Sequence, residues 1–156
     1  DLTLRNMKVI FILGSEVDKP HAEKIQVELD KWGLSHDLHV ASAHKVPEKV
    51  FDLVKGYNEG DEDIVYMTIA GRSNGLSGVT AANAVHPVIA CPPFKDKQDM
   101  MANINSTLQM PSDTPVLTVL DPKNAAAAAA RMLGLKDPAV KAKIVERIAE
   151  IKQSFK

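Results

Sequence analysis

A doubly wound α/β domain built on a parallel sheet of about five strands is the fold this sequence predicts. Three observations carry it. Short apolar runs recur along the chain, and they are continuous rather than alternating, as in strands covered on both faces. Each run stops in a loop of glycine, serine or proline. Each loop then leads into a segment with apolar residues three and four apart, the spacing of one helix face. Strands that alternate with helices in this way pair in parallel, with right-handed crossovers.

The first strand is expected over residues 8–13, Lys8-Val9-Ile10-Phe11-Ile12-Leu13, ending in Gly14-Ser15-Glu16-Val17-Asp18-Lys19-Pro20. Pro20 suits the first turn of a helix, with Asp18 or Lys19 at the cap. Ala22, Ile25, Leu29 and Trp32 form its inner stripe, and Gly33 ends it. A shorter strand follows at 38–41 and stops at Ser42-Ala43-His44-Lys45-Val46-Pro47. Pro47 opens a second helix whose predicted stripe is Val50, Phe51, Val54 and Tyr57. The third strand is 64–69, followed by a glycine-rich loop and a small-residue helix from Val79 to Val85. Residues 87–91 make strand four, stopped by Pro92-Pro93, and 97–108 are helical but weakly patterned. Strand five is 115–120. Asp121-Pro122-Lys123-Asn124 starts a helix with six consecutive alanines, the best helix former and small enough for close packing on a sheet. A last helix from about Pro138 places Val140, Ile144, Ile148 and Ile151 on one side, to dock on its own core or on a neighbouring subunit.

At 156 residues the chain is expected to form one domain, with a core over about 7–134 and a C-terminal helix over about 138–155. A net charge of −1 leaves no electrostatic footprint for nucleic acid or an anionic membrane, so neither is an expected partner. No apolar run approaches the length of a membrane span. The single cysteine, Cys91, excludes an internal disulfide and a cysteine-based zinc site, and a reducing, cytoplasmic setting is the simplest fit. Residues 1–6 lack the layout of a secretion signal; because the chain opens on Asp1 rather than Met, a trimmed N-terminus is expected, with Met7 one candidate for the natural start.

Chemistry is expected at the carboxyl ends of the strands, where ligands bind in open α/β sheets. The stretch Ile69-Ala70-Gly71-Arg72-Ser73-Asn74-Gly75-Leu76-Ser77-Gly78 places three glycines in eight residues directly after a strand. Such a loop can turn tightly and approach a ligand closely. The helix behind it offers backbone N–H groups that favour an anion. The two upstream loops leave the same edge with Ser15 and Asp18, then with Ser42, His44 and Lys45. Together they bring one imidazole, two cations, several hydroxyls and a carboxylate to a single crevice. A phosphorylated small molecule with hydroxyls suits that set, with cations and N–H groups for the phosphate and Asp18 for a ribose diol. The common nucleotide motifs are missing: there is no G-x-G-x-x-G after strand one and no G-x-x-x-x-G-K-[ST]. A receiver domain would want aspartate at the end of strand three, where Ala70-Gly71 stand. A flavin carrier would want aromatic flanks, and only 4% of residues are aromatic. No histidine or carboxylate spacing suggests a metal.

Gly14-Ser15-x-x-Asp18, Ser42-Ala43-His44-Lys45 and Ala70-Gly71-Arg72-Ser73-Asn74-Gly75-Leu76 jointly resemble phosphoribosylaminoimidazole carboxylase of purine biosynthesis. His21-Ala22-Glu23-Lys24-Ile25, Ala90-Cys91-Pro92-Pro93 and Pro122-Lys123-Asn124-Ala125-Ala126 are similar to the same family, in the same order, over about residues 8–134. Lys45 and the Gly71-Arg72-Ser73-Asn74 loop look like the class that uses CO2 directly. The mutase class usually carries Arg after the catalytic His and a Gly-Gly-Ala-Ala-His-type third loop. The resemblance implies a flavodoxin-like three-layer sandwich and a homo-octamer. It also implies a carboxy-lyase that carboxylates aminoimidazole ribonucleotide at C4 with CO2, using no biotin, ATP, metal or other cofactor. By similarity His44 is the acid/base group. Ser15, Asp18, Ser42 and Lys45 hold ribose and phosphate, and Gly71 and Ser73 line the reacting end. Arg72 and Asn74 act there or brace the loop, with a subunit contact the other role for Arg72. Val17 departs from the small hydroxyl residue common at its position, so that phosphate contact falls to backbone N–H groups or is absent.

Blander roles stand beside these. A loop histidine on its own is more often solvent-facing than catalytic, Asp18 can be a simple N-cap, and Lys45 an ordinary surface lysine. Cys91 before two prolines reads as a packed residue, and His21, His36, His39 and His86 as structural or exposed. Two other functions fit the fold: a mutase acting on the N5-carboxy isomer, and a non-catalytic phosphoribosyl-binding or receiver-like module.

Overall fold

The computed structural model of the chain describes residues 7–156, so the expectation of a trimmed N-terminus, which falls on residues 1–6, lies outside the described residues. The elements run β1 (Met7–Leu13), a 3-10 turn (Glu16–Asp18), α1 (Lys19–Lys31), β2 (Ser35–Val40), α2 (Pro47–Glu59) and β3 (Asp63–Ile69). They continue with α3 (Gly75–Asn83), β4 (Val88–Ala90), α4 (Lys97–Asn103), α5 (Asn105–Leu108), β5 (Leu117–Thr118), α6 (Pro122–Gly134) and α7 (Pro138–Gln153). Proline opens α1, α2, α6 and α7, where its missing N–H is not needed. Gly33, at φ +70°, follows α1 in the left-handed conformation that side chains disfavour.

The five strands lie in the order β2-β1-β3-β4-β5, every neighbouring pair parallel. This is the flavodoxin-like order, with its switch point between β1 and β3. Alternate residues of the central strands feed two cores. Val9, Phe11, Leu13, Val65, Met67 and Ile69 pack with α1 and α6 on one face. Ile10, Ile12, Ile64 and Tyr66 pack with α2 and α3 on the other. The result is a three-layer sandwich. The alanine run serves it directly: Ala125, Ala126, Ala129 and Ala130 are fully buried, and their small side chains let α6 sit close to the sheet and α1. None of the described helices is long and apolar enough to cross a membrane.

Several expectations change, among them the second strand, which runs Ser35–Val40 rather than 38–41. The helix after β3 begins at Gly75, not Val79, because the Asn74 side chain accepts the Ser77 N–H and caps it there. Residues 97–108 divide into α4 and α5. Strand five shrinks to Leu117–Thr118, since it is an edge strand among the described residues and its partner, β4, is itself three residues long. On α2 only Val50 and Val54 are buried. Phe51, one position round from Val50, is 50% exposed, because the apolar seam on that helix is narrower than the predicted stripe. On α7 Val140 is buried and Ile144 partly so, while Ile148 and Ile151 stay exposed on this chain.

Candidate active site

Strands β1, β2 and β3 end level. Leu13 pairs with Val40 on one side and Ile69 on the other. The ladder runs one step further, where the Ala41 N–H donates to Leu13 O at 2.8 Å and the Gly14 N–H to Ile69 O at 3.0 Å. All three loops therefore leave from the same edge. The loop after β1 turns toward α1 on one face, whereas the loops after β2 and β3 turn toward α2 and α3 on the other. That divergence opens a crevice at the switch point.

Each loop is locally stiffened. Ser15 Oγ accepts from the Val17 N–H at 3.4 Å, which caps the 3-10 turn. Asp18 occupies the N-cap position of α1 but makes no capping hydrogen bond with its side chain, so its carboxylate is not spent on the helix. Burial pushes that carboxyl above the usual range, and the hydrogen bond from the Ser15 backbone pulls it partly back. In the second loop Ser42 Oγ accepts the Lys45 N–H at 3.2 Å and Ser42 O accepts the Val46 N–H at 2.8 Å. This closes a tight turn that projects His44 and Lys45 outward, both exposed. Lys45 and Arg72 form no ion pair among the described residues.

The decisive contact is between the second and third loops. A Cβ placed on Gly75 would stand 2.9 Å from His44 Nε2 and 3.1 Å from Cε1, so the imidazole lies directly against the bare Cα of Gly75. Because β1 separates β2 from β3, the His44 loop has to pass the end of β1 to make this contact. The imidazole, the glycine-rich loop and the end of β1 thus share one place. Neither ring nitrogen has a hydrogen-bond partner among the described residues. The exposed ring rests against Gly75.

Comparison with known proteins adds to this geometry. The family described as AIR carboxylase matches residues 8–154. The chain is 44% identical over 140 residues to a phosphoribosylaminoimidazole carboxylase of Archaeoglobus fulgidus, covering 90% of this chain and 76% of that one. It is 45% identical over 129 residues to the carboxylase of that name from Treponema denticola, covering 83% and 80%. The crystal structure of Treponema denticola PurE superposes with a TM-score of 0.89 at 39% identity, over 96% of this chain and 94% of that one.

The chain belongs to the AIR carboxylase family. As an AIR carboxylase it is an enzyme of purine biosynthesis, and its sheet order and layers are those of its structural neighbour.

Within this AIR carboxylase the remaining candidates separate by what they touch. Ser73 and Arg72 are exposed on the loop. Gly71 rests on the neighbouring turn: a Cβ there would come within 3.2 Å of Pro93 O, so its missing side chain brings the two loops together. Asn74 departs from an expected ligand contact. It is 3% exposed, and its side chain is taken up inside the protein. Its Oδ1 accepts from the Ser77 N–H and the Ser77 hydroxyl, and its Nδ2 donates to Thr107 Oγ1 at 2.9 Å. Bracing the loop, the alternative role, is what its geometry does. Val17 is 80% exposed and brings no hydroxyl to the first loop.

Cys91 lies at the same strand edge but is no nucleophile. Its thiol is buried, and burial, with the nearby Asp121 charge adding, pushes it up to about 12. His21, whose Nε2 lies 3.5 Å from that sulfur, is pushed below the ordinary histidine range by burial and by Lys24. Sequence reasoning did not single out Gly75 as the residue that seats His44, nor Ser106 and Thr107 of α5. The glycine stretch held a signal for Gly75. Ser106, 32 residues from the loop it touches, had none.

Proposed function

We propose that the chain carboxylates 5-aminoimidazole ribonucleotide at C4 with CO2 itself, and that His44 is the general acid/base. The observation that carries this reading is the imidazole packed on Gly75 where the β1, β2 and β3 loops meet. The substrate ring is enamine-like, so its C4 attacks the CO2 carbon and forms the new C–C bond without prior activation. Rearomatisation then requires loss of the C4 proton, which His44 accepts and passes to solvent. Ser15, Ser42 and Lys45 bind the phosphate and sugar, and Asp18, its carboxylate unused by α1, takes the ribose hydroxyls. With valine at position 17, N–H groups of the first loop replace a hydroxyl at the phosphate. Arg72, Ser73 and the Gly71 backbone enclose the reacting end.

Lys45 beside His44, and the Gly71-Arg72-Ser73-Asn74 loop, favour CO2 over the N5-carboxy isomer as donor. The test supplies each separately. Protein, ribonucleotide and bicarbonate without ATP should yield the 4-carboxy product well above the uncatalysed rate. Turnover of the N5-carboxy isomer alone would instead identify a mutase, and substrate affinity with neither turnover a binding module.

A homo-oligomer, an octamer in line with the family resemblance, is part of the same proposal. It is supported by Ile148 and Ile151 on α7 and by Phe51 on α2, large apolar side chains that this chain leaves open to solvent. Sedimentation equilibrium should give a mass near eight times the 17.0 kDa chain. A monomer at micromolar concentration would reject this part.

A further inference from the structure

We propose that Ser106, on the four-residue helix α5, is a positioning residue for the reaction, holding the Arg72–Asn74 segment in register with His44. The proposal rests on the carboxylase assignment and extends it to a residue outside the crevice.

The Ser106 hydroxyl sits between two backbone groups of the glycine-rich loop. Its Oγ accepts from the Asn74 N–H at 3.1 Å and donates to Arg72 O at 2.7 Å, with Asn103 O at 3.0 Å as the competing acceptor. One side chain thus bridges the residues on both sides of Ser73. The neighbouring residue on the same helix completes the grip, because Thr107 Oγ1 accepts from Asn74 Nδ2 at 2.9 Å. Beyond Asn74 the buried chain continues inward. Ser77 Oγ donates to Asn74 Oδ1 at 2.9 Å and lies 2.8 Å from Thr68 Oγ1 on β3. With the Ser77 proton committed to Asn74, Thr68 is the donor to Ser77. Thr68, Ser77, Asn74 and Thr107 are all buried, where a broken hydrogen bond is expensive and an intact one restricts geometry. The loop is tied to the sheet through Asn74 and to α5 through Ser106.

This matters because the bridge spans Ser73, in the part of the loop next to the Gly75 contact with the imidazole. His44 is oriented by packing on Gly75, the residue after Asn74. Arg72 and Ser73 are exposed and reach the ligand only where the Ser106 bridge puts them. A Ser106→Ala protein retains the Asn74 cap and the buried chain, so it folds. It loses the one group that joins Arg72 O to the Asn74 N–H.

Three variants are compared with wild type in the CO2-dependent assay and by peptide-level hydrogen exchange over residues 70–77. Ser106→Ala should lower kcat/KM by roughly 100-fold, the scale of a small misplacement of reacting groups. The loss should fall mainly on kcat, with the 70–77 amides exchanging faster. Ser106→Thr, which keeps the oxygen, should recover to within about threefold of wild type in both measurements. Thr107→Val keeps the shape while removing the Asn74 acceptor and should weaken the same loop, so the grip remains testable if Ser106→Ala proves insoluble. Equal losses in Ser106→Ala and Ser106→Thr, or unchanged kcat and exchange in both Ser106→Ala and Thr107→Val, overturn the positioning role. Wild-type protein without turnover fails the carboxylase assignment instead. The exchange data then judge whether the bridge holds the loop independently of it.

Discussion

Replacing His44 with Asn should remove most turnover, about 10² to 10⁴-fold, the usual contribution of a positioned acid/base group. Asparagine retains a polar planar head but cannot accept the C4 proton. His44 is exposed and has no hydrogen bond to lose among the described residues, so the fold should stay within about 0.5 kcal/mol of wild type. Affinity for the ribonucleotide should also persist, because the serines, Asp18 and Lys45 remain. Steady-state rates, calorimetric titration of substrate and a urea unfolding curve separate the three quantities. A fully active His44→Asn protein would remove the imidazole from the mechanism.

The second large effect is expected at a residue with no functional group. Gly75→Ala would place a methyl 2.9 Å from His44 Nε2 and 3.1 Å from Cε1, closer than carbon approaches either atom without displacement. The atoms in the way belong to the free end of an exposed side chain, so the imidazole swings aside and the backbone need not move. Gly75 is the first residue of α3, where alanine keeps only part of the roughly 1 kcal/mol it gains over glycine in a helix interior. Stability should therefore hold or rise while turnover falls by up to roughly 100-fold through loss of alignment. Gly71 differs in kind: the atom facing it is the Pro93 carbonyl oxygen, which cannot rotate away. Wild-type kcat in soluble, more stable Gly75→Ala would show that the ring's seat is unimportant.

The contrast between these two glycines also shows where local reading reaches its limit. Both stand in one stretch that is legible as a loop, since three glycines after a β-branched run allow little else. Their separate roles depend on which groups lie opposite, His44 from one strand end and Pro93 from another. Phe51 fails for a related reason. Its spacing admits it to the α2 stripe, but the width of the seam is set by how α2 meets α3 and the sheet, and Phe51 falls outside it. Asn74 looks like a ligand-facing residue because it follows Arg72 and Ser73. Its inward turn is decided by Thr107, 33 residues further along the chain.

Short-range patterns were enough to establish the βα alternation, the proline-opened helices, the continuous apolar strands and the three loops that carry Ser15, Asp18, His44 and Arg72. Each of these depends on residues within one or two turns of one another, where propensity, capping and periodicity act. Packing in three dimensions decided the rest: the seating of His44 on Gly75, the inward turn of Asn74, the short β5 and the hold of Ser106 on the loop. Those contacts join positions about 30 residues apart. They arise only once strand order has brought separate loops together, and no local preference records which partner will arrive.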